Sequence, residues 1–489
     1  MSQYGCGDTD RRRKFIDILD DDSLLTIFYH CRPDILEEDR IDTGDIDSRI
    51  DIRVPDGKWE RERWWYKPAQ VCRRWRHLIL ASPSYLGLSL VCMTGAPVAD
   101  MLAHSPPFPL IIDSLSLGSH IPAKNEEGTR LALEHHDRVR RIRLRMRAPQ
   151  LMRLIAAIDG PFPLLEHLYI CPLTPPDTNW SLPSTLRAPH LRHLVLHNIA
   201  FPIGSPLLAG LVTLSLEYIN PLAILSPNEL LQQLSLIPQL ETFDISFYPA
   251  LSNEDIEVQL LQMPLPAHVT LPALRWFGFE GPSAYMATVL PRITTPLLEV
   301  IEVVSTTSNP LTSSILFFLQ SMCGTENPRL CSVKVTFYNV HTIITMYPHK
   351  RTGMSTLRLR LLCSHPALGL ESMVEVFDWI KAVFTEAESL TLEDKTSSEF
   401  LKEFAIRAES RWRELLKSFN NVQTLRVSGG NLIEGLSRAL RPHNGESAIE
   451  LLPMLRVLSY PKGTRVGKSC RSFIAVRRKA GRPVTISHH

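Results

Sequence analysis

A chain of 489 residues exceeds what one compact core accommodates, so two or three units or one extended repeat domain are expected. Its 44% hydrophobic and 21% charged residues are those of a folded protein. A net charge of +2 supplies no general attraction for nucleic acid or anionic lipid, and no apolar run reaches the roughly 18 residues of a membrane span.

Residues 1–14 are expected to be disordered, and a helical module is expected over residues 15–90. In its first helix Asp20 or Asp21 is placed to accept hydrogen bonds from first-turn amides. Leu24, Ile27 and Phe28 then fall at i, i+3 and i+4, one apolar stripe flanked by Leu19 and Leu25. Residues 32–62 form an insertion with Glu37, Glu38, Asp39, Asp42, Asp45, Asp47 and Asp51, too poor in apolar side chains to fold alone. Those acids lack the glycine spacing of a calcium loop, so no metal is expected there. A second helix is expected over residues 65–81, with Val71, Trp75 and Ile79 at four-residue intervals and Ala69, Cys72 and Leu78 widening the face. Ser82-Pro83-Ser84 ends it, because proline cannot continue the hydrogen-bond ladder. Neither helix can bury its stripe on the other alone. Both therefore pack onto the rest of the chain or offer a docking surface to a partner.

Residues 91–136 read as a connecting segment. From residue 137 to 489 one pattern recurs: an apolar residue, two variable residues, then apolar–any–apolar. Copies are Leu165/Leu168/Ile170, Leu191/Leu194/Leu196, Leu211/Leu214/Leu216, Leu240/Phe243/Ile245, Leu274/Phe277/Phe279, Leu298/Ile301/Val303 and Leu330/Val333/Val335. Weaker ones are Val422/Leu425/Val427 and Leu455/Leu458. The anchors are separated by 26, 20, 29, 34, 24 and 32 residues, close to the about 20–29 of a leucine-rich repeat. Many of the 37 prolines precede these motifs and so punctuate repeated units. Segments Glu229–Leu236 and Met373–Phe384 are candidate return helices. The expected fold class is α/β: the helical module followed by an irregular leucine-rich-repeat-like solenoid with a basic C-terminal cap. Residues between the apolar strand positions share an open face, which makes Tyr169, His193, Val195, Ser215, Asp244, Trp276, Glu302, Lys334, Thr424 and Arg426 candidates for partner contact.

Arg141, Arg143, Arg145 and Arg147 alternate along one strand. Guanidinium groups pair with carboxylate or phosphate, so an acidic or phosphorylated partner fits; the simpler reading is an edge strand kept from pairing by its charge. Nucleic acid is not the expected partner, because no basic stripe continues on neighbouring strands. His190, His193 and His197 resemble zinc spacing but provide too few ligands, so no metal or cofactor is expected. Nine cysteines never fall in C-x-x-C spacing, which argues for reduced thiols in the cytoplasm, the nucleus or both. The sequence carries no nucleophile elbow or phosphate-cradling glycine loop, and an enzyme is not expected.

Leu19, Leu24, Leu25, Ile27 and Phe28, followed by Val71-Cys72-Arg73-Arg74-Trp75 and Ser82-Pro83-Ser84-Tyr85-Leu86, resemble the two helices and closing segment of fungal F-box-like proteins. Asp20 and Pro68 depart from that pattern, standing where proline and leucine are usual. The resemblance implies docking to a Skp-family linker, and through it to a cullin-RING ubiquitin ligase, by Leu19, Leu24, Leu25, Ile27, Phe28, Ala69, Val71, Cys72, Trp75 and Ile79. The repeat domain would then recruit a protein substrate. The alternative is a protein-interaction scaffold whose F-box no longer docks a ligase.

Overall fold

The computed structural model describes residues 19–32, 63–93, 95–115, 123–174, 180–200, 204–219, 226–247, 268–281, 283–305, 330–338, 341–348, 357–362, 387–395, 409–441, 450–463 and 468–488. The N-terminal segment, nearly all of the acidic insertion and the helix expected at Met373–Phe384 lie outside them. The fold is mixed α/β, built mostly from parallel strands, and divides into two compact units: Met1–Asp177 with Leu182–Leu191, and Thr178–Ser181 with Arg192–His489.

In the first unit, helices α1 (Asp21–His30), α2 (Tyr66–Ala69), α3 (Arg73–Ala81) and α4 (Pro83–Leu86) precede strands β1 (Leu90–Met93), β2 (Leu110–Leu115), β3 (Val139–Met146) and β4 (His167–Pro172). The strands pair in chain order and in parallel. Parallel neighbours need a crossover, here α5 (Val98–His104), α6 (Ala123–Leu133) and α7 (Ala148–Ala157). The described residues between 91 and 136, expected to be a connecting segment, thus hold strand and crossover-helix structure. Leu90, Val91 and Cys92 are all buried, so β1 shows none of the alternation by which a half-exposed strand is recognised. The arginine strand is also not an edge. β3 lies between β2 and β4, with Ile142 and Leu144 fully buried on one face and the arginines half-buried on the other.

The second unit contains two short parallel pairs, β5 (Trp180–Ser181) with β7 (Ile199–Ala200) and β10 (Val269–Thr270) with β12 (Ile293–Thr294). Strands β6 (His193–His197), β8 (Thr213–Ile219), β9 (Thr242–Phe247), β11 (Trp276–Gly281) and β13 (Val300–Ser305) pair successively in parallel. Several motif leucines close a turn immediately before their strands. Leu240 N–H donates to Ile237 O (3.2 Å), Leu274 to Leu271 O (3.3 Å), Leu298 to Thr295 O (3.3 Å) and Leu455 to Leu452 O (3.0 Å). Pro238, Pro272, Pro296 and Pro453 occupy the second turn position, where the ring presets the required φ. In the first unit Leu165 and Leu191 close the same turn on Phe162 and Ala188, over Pro163 and Pro189. The next residue enters the ladder: Glu241 N–H reaches Val212 O, Arg275 reaches Glu241 O and Glu299 reaches Arg275 O. Leu240, Phe243 and Ile245 are fully buried, so three apolar side chains per repeat carry the core. The return after β8 is α8 (Pro227–Leu234), started by a reciprocal Ser226–Glu229 capping box and buried through Leu230, Leu231 and Leu234. Helix α9 (Ser283–Val289) follows β11.

The order then reverses. Strands β14 (Leu330–Phe337), β15 (His341–Pro348) and β16 (Leu357–Leu362) form an antiparallel set, and β13 is joined by β16, not by β14 as the repeat spacing predicts. The link from Phe337 to His341 is too short for a crossover, which leaves only the antiparallel pairing. β14 then receives β17 (Ser389–Asp394) in parallel, followed by β18 (Thr424–Ser428), β19 (Val457–Tyr460) and β20 (Thr485–His488). Helices α10 (Glu409–Lys417), α11 (Gly430–Ala439) and α12 (Lys468–Lys479) stand before β18, β19 and β20.

Arg477 in α12 is completely buried and donates to the carbonyls of Leu451, Leu452, Pro453 and Leu455, between 3.0 and 3.4 Å. Its guanidinium also lies 5.5 Å from the Phe473 ring centroid. One basic residue of the C-terminal stretch therefore saturates the last leucine turn. Replacing Arg477 with Met removes these donors from the buried turn and is expected to cost about 1–3 kcal/mol, read as a lowered denaturant midpoint. An unchanged midpoint would show that the turn holds without the guanidinium.

Candidate functional site

Asp20 begins α1: its Oδ1 accepts from Ser23 N at 2.7 Å, and that bond holds its carboxyl below the usual carboxylate range. The residue that departs from the F-box pattern is thus a helix cap. Leu24 and Phe28, one turn apart, are buried, Leu19 and Leu25 are half-buried, and Ile27 is exposed.

The helix expected over residues 65–81 is two helices. Pro68 sits inside the four-residue α2, where its missing N–H has no intrahelical acceptor to lose. The chain extends at Cys72 (φ −155°, ψ 171°), whose Sγ accepts from Trp75 N at 3.5 Å and starts α3. Val71 therefore falls in the break between the helices, off the stripe with Trp75 and Ile79. Ala69 and Ile79 are buried, Cys72 and Val71 are exposed, and Trp75 is half-buried.

Two contacts join the helices. The Trp75 ring meets Phe28 edge to face at 4.9 Å. Arg74 donates through Nη2 to Leu19 O (2.6 Å) and through Nη2 and Nε to Asp21 Oδ1 (2.7 and 3.0 Å). Tyr85 of α4 lies 5.3 Å from Tyr29. Trp65, absent from the expected set, is buried and anchors the helices to the strand layer through Phe108 at 5.6 Å. Large apolar side chains also remain in water: Ile27 is 44% exposed, Tyr29 42%, Val71 58% and Tyr85 50%.

The strand residues form two faces, one per unit. In the first, Asp113, Arg143 and Tyr169 stand in register. The buried Asp113 carboxylate pairs with Arg143 at 3.2 Å, and Arg143 lies 5.9 Å from the Tyr169 ring centroid. Arg141 and Arg145 flank Arg143 on the same strand. In the second unit, register aligns His193, Thr213, Thr242 and Trp276 in one row and Val195, Ser215, Asp244, Gly278 and Glu302 in the next. Gly278 gave no pattern signal, yet a Cβ there would collide with the Asp244 carboxylate and the Trp276 ring. His193 Nδ1 contacts Thr213 Oγ1 at 3.1 Å, and His197 Nδ1 contacts Glu217 at 3.2 Å. Among the described residues no group of three His, Cys, Asp or Glu is placed to hold a metal ion, and no helix is long and apolar enough to cross a membrane.

Farther along, Lys334, Thr391, Arg426 and Ser459 share a row, with Arg426 exposed. Glu393 bridges Lys334 (2.7 Å) and Lys395 (3.5 Å). Burial pushes its carboxyl up, but the two ammonium groups outweigh burial and hold it below the usual range. No protein-family model matches the chain, and no curated protein matches it.

Two outcomes follow from these contacts. Truncating the half-buried Trp75 to Ala should cost about 2 kcal/mol, less than the about 3–5 kcal/mol of a fully buried ring, measured by denaturant unfolding. Because the Glu393 pKa is depressed on folding, its stabilisation is complete above the unfolded value near 4.3 and fades as pH falls through the folded one. Glu393→Gln should therefore flatten the acid limb of stability against pH in that window; an unaltered limb would refute the pairing in solution.

Proposed function

We propose that the chain is a substrate-recruiting adapter of a Skp/cullin/F-box type ubiquitin ligase. In this reading α1, α3 and α4 are an F-box-like module that docks a Skp-family linker. The parallel repeats of the second unit are a leucine-rich-repeat-like solenoid that recruits a protein substrate. The observation that carries the reading is the division of apolar side chains among the short helices and the break between α2 and α3. Leu24, Phe28, Leu78 and Ile79 are used up in packing, while Ile27, Tyr29, Val71 and Tyr85 remain in water. Exposed large apolar side chains that adjoin one another indicate a partner surface; the Tyr29 and Tyr85 rings lie 5.3 Å apart, and aromatic residues are favoured anchors in such surfaces.

The departures at Asp20 and Pro68 agree with this reading, because one caps α1 and the other fits the short α2 without disturbing α3. The chain's contribution would be proximity: tethering a substrate beside a charged ubiquitin raises the effective concentration of its lysines. The test is copurification with the host's Skp-family protein. Wild type should capture it stoichiometrically, and an Ile27→Asp, Val71→Asp double variant, altered only at exposed positions, should lose capture while melting like wild type. Absence of capture by folded wild type would replace the adapter with a scaffold.

A further inference from the structure

In the first unit α2, the end of β1 and α5 border an open cavity of about 440 Å³, a volume in the range of small-ligand sites. Arg63 and Tyr66 supply its polar side chains, and Met93, Ala96, Pro97 and Met101 make up the apolar wall. The bend from β1 to α5 is fixed locally. Ala96 N–H donates to Met93 O at 3.0 Å, and Gly95 takes φ +86°, which glycine adopts without strain. A Cβ on Gly95 would meet nothing within 4 Å, so the backbone there borders open space.

The one charge in this wall lacks a counter-ion. Arg63 is half-buried and forms no ion pair with the described residues, and no acid lines the cavity. Its guanidinium gives one hydrogen bond, from Nη2 to Val91 O at 3.3 Å, and lies 5.8 Å from the Tyr66 ring centroid. Its Nε is buried without a hydrogen-bond partner. A half-buried cation in this condition is stabilised by an anion that accepts its remaining donors. Burial pushes the Tyr66 hydroxyl up, so at neutral pH it stays a donor and adds no negative charge.

These groups select the ligand. The planar guanidinium fork matches one carboxylate, whereas a nucleotide would bring several negative charges to a wall that offers a single cation. The remaining wall is aliphatic and thioether, and methionine side chains conform readily to a flexible apolar chain. We propose that this cavity binds a short- to medium-chain aliphatic monocarboxylate, its carboxylate on Arg63 and its chain against Met93 and Met101. Binding involves no linker protein, so its outcome is independent of the adapter reading.

The experiment is isothermal titration calorimetry of the full chain with hexanoate, heptanoate, octanoate and the neutral octanamide. One saturable site per chain is expected, with affinity rising about fourfold per added methylene, the gain from burying it. Octanamide should bind about tenfold more weakly than octanoate, the loss of a charge-assisted contact. Arg63→Gln should abolish that preference and leave octanamide unchanged. Met101→Trp, which fills the cavity, should abolish binding of both, and Ala96→Leu, a smaller intrusion, should weaken both; thermal unfolding confirms that each variant is folded. Equal affinity of octanoate and octanamide for wild type, no gain with chain length, or no binding at all would overturn the proposal. So would wild-type affinity for octanoate in the folded Met101→Trp or Ala96→Leu variant.

Discussion

A parallel strand can pair with its predecessor only after the chain has travelled back to the end where that predecessor began, and the leucine turn completes this return. In the second unit the turn does three things within a few residues. Its proline narrows the backbone, its leucine enters the core, and the following amide bonds to the previous repeat. Local conformation, burial and ladder register are thereby set together, so the repeats tolerate unequal lengths between turns. The different spacings at Leu240, Leu274 and Leu298 change the return path without changing how the next strand is entered.

Where that return is missing, the sheet changes direction. β14 and β15 follow one another too closely for a crossover, so they and β16 pair antiparallel, and β16 meets β13. Parallel order resumes at β17, and the turn before β19 is held by a different device. Arg477 donates to the carbonyls around Leu452. A buried charge is costly unless its hydrogen bonds are provided, and here its carbonyl partners come from the turn itself.

In the first unit some apolar side chains of the helices pack together and others stay exposed. Phe28, Trp75 and Trp65 hold the helices together and to the strand layer, which leaves Ile27, Tyr29, Val71 and Tyr85 at the surface. The same economy appears on β3, whose apolar side chains form the core while Asp113 and Tyr169 fix the middle arginine of the opposite face.

Sequence alone was enough for the repeating strands, because apolar residues at alternate positions after a leucine anchor leave their mark at Leu240/Phe243/Ile245 and at each similar triplet. It also revealed α1, through the Asp20 cap and the Leu24/Phe28 spacing. It hid β1 and β2, whose consecutive buried residues lack alternation, and it mistook the arginine strand for an edge, since charge on one face says nothing of what pairs at the strand's sides. Only the tertiary structure decided the break at Cys72, which removed Val71 from the stripe, the need for a bare Gly278 beneath Trp276, and the place of β16 beside β13. These outcomes depend on contacts between residues distant along the chain, whereas periodicity records only what a segment does within its own turn or strand.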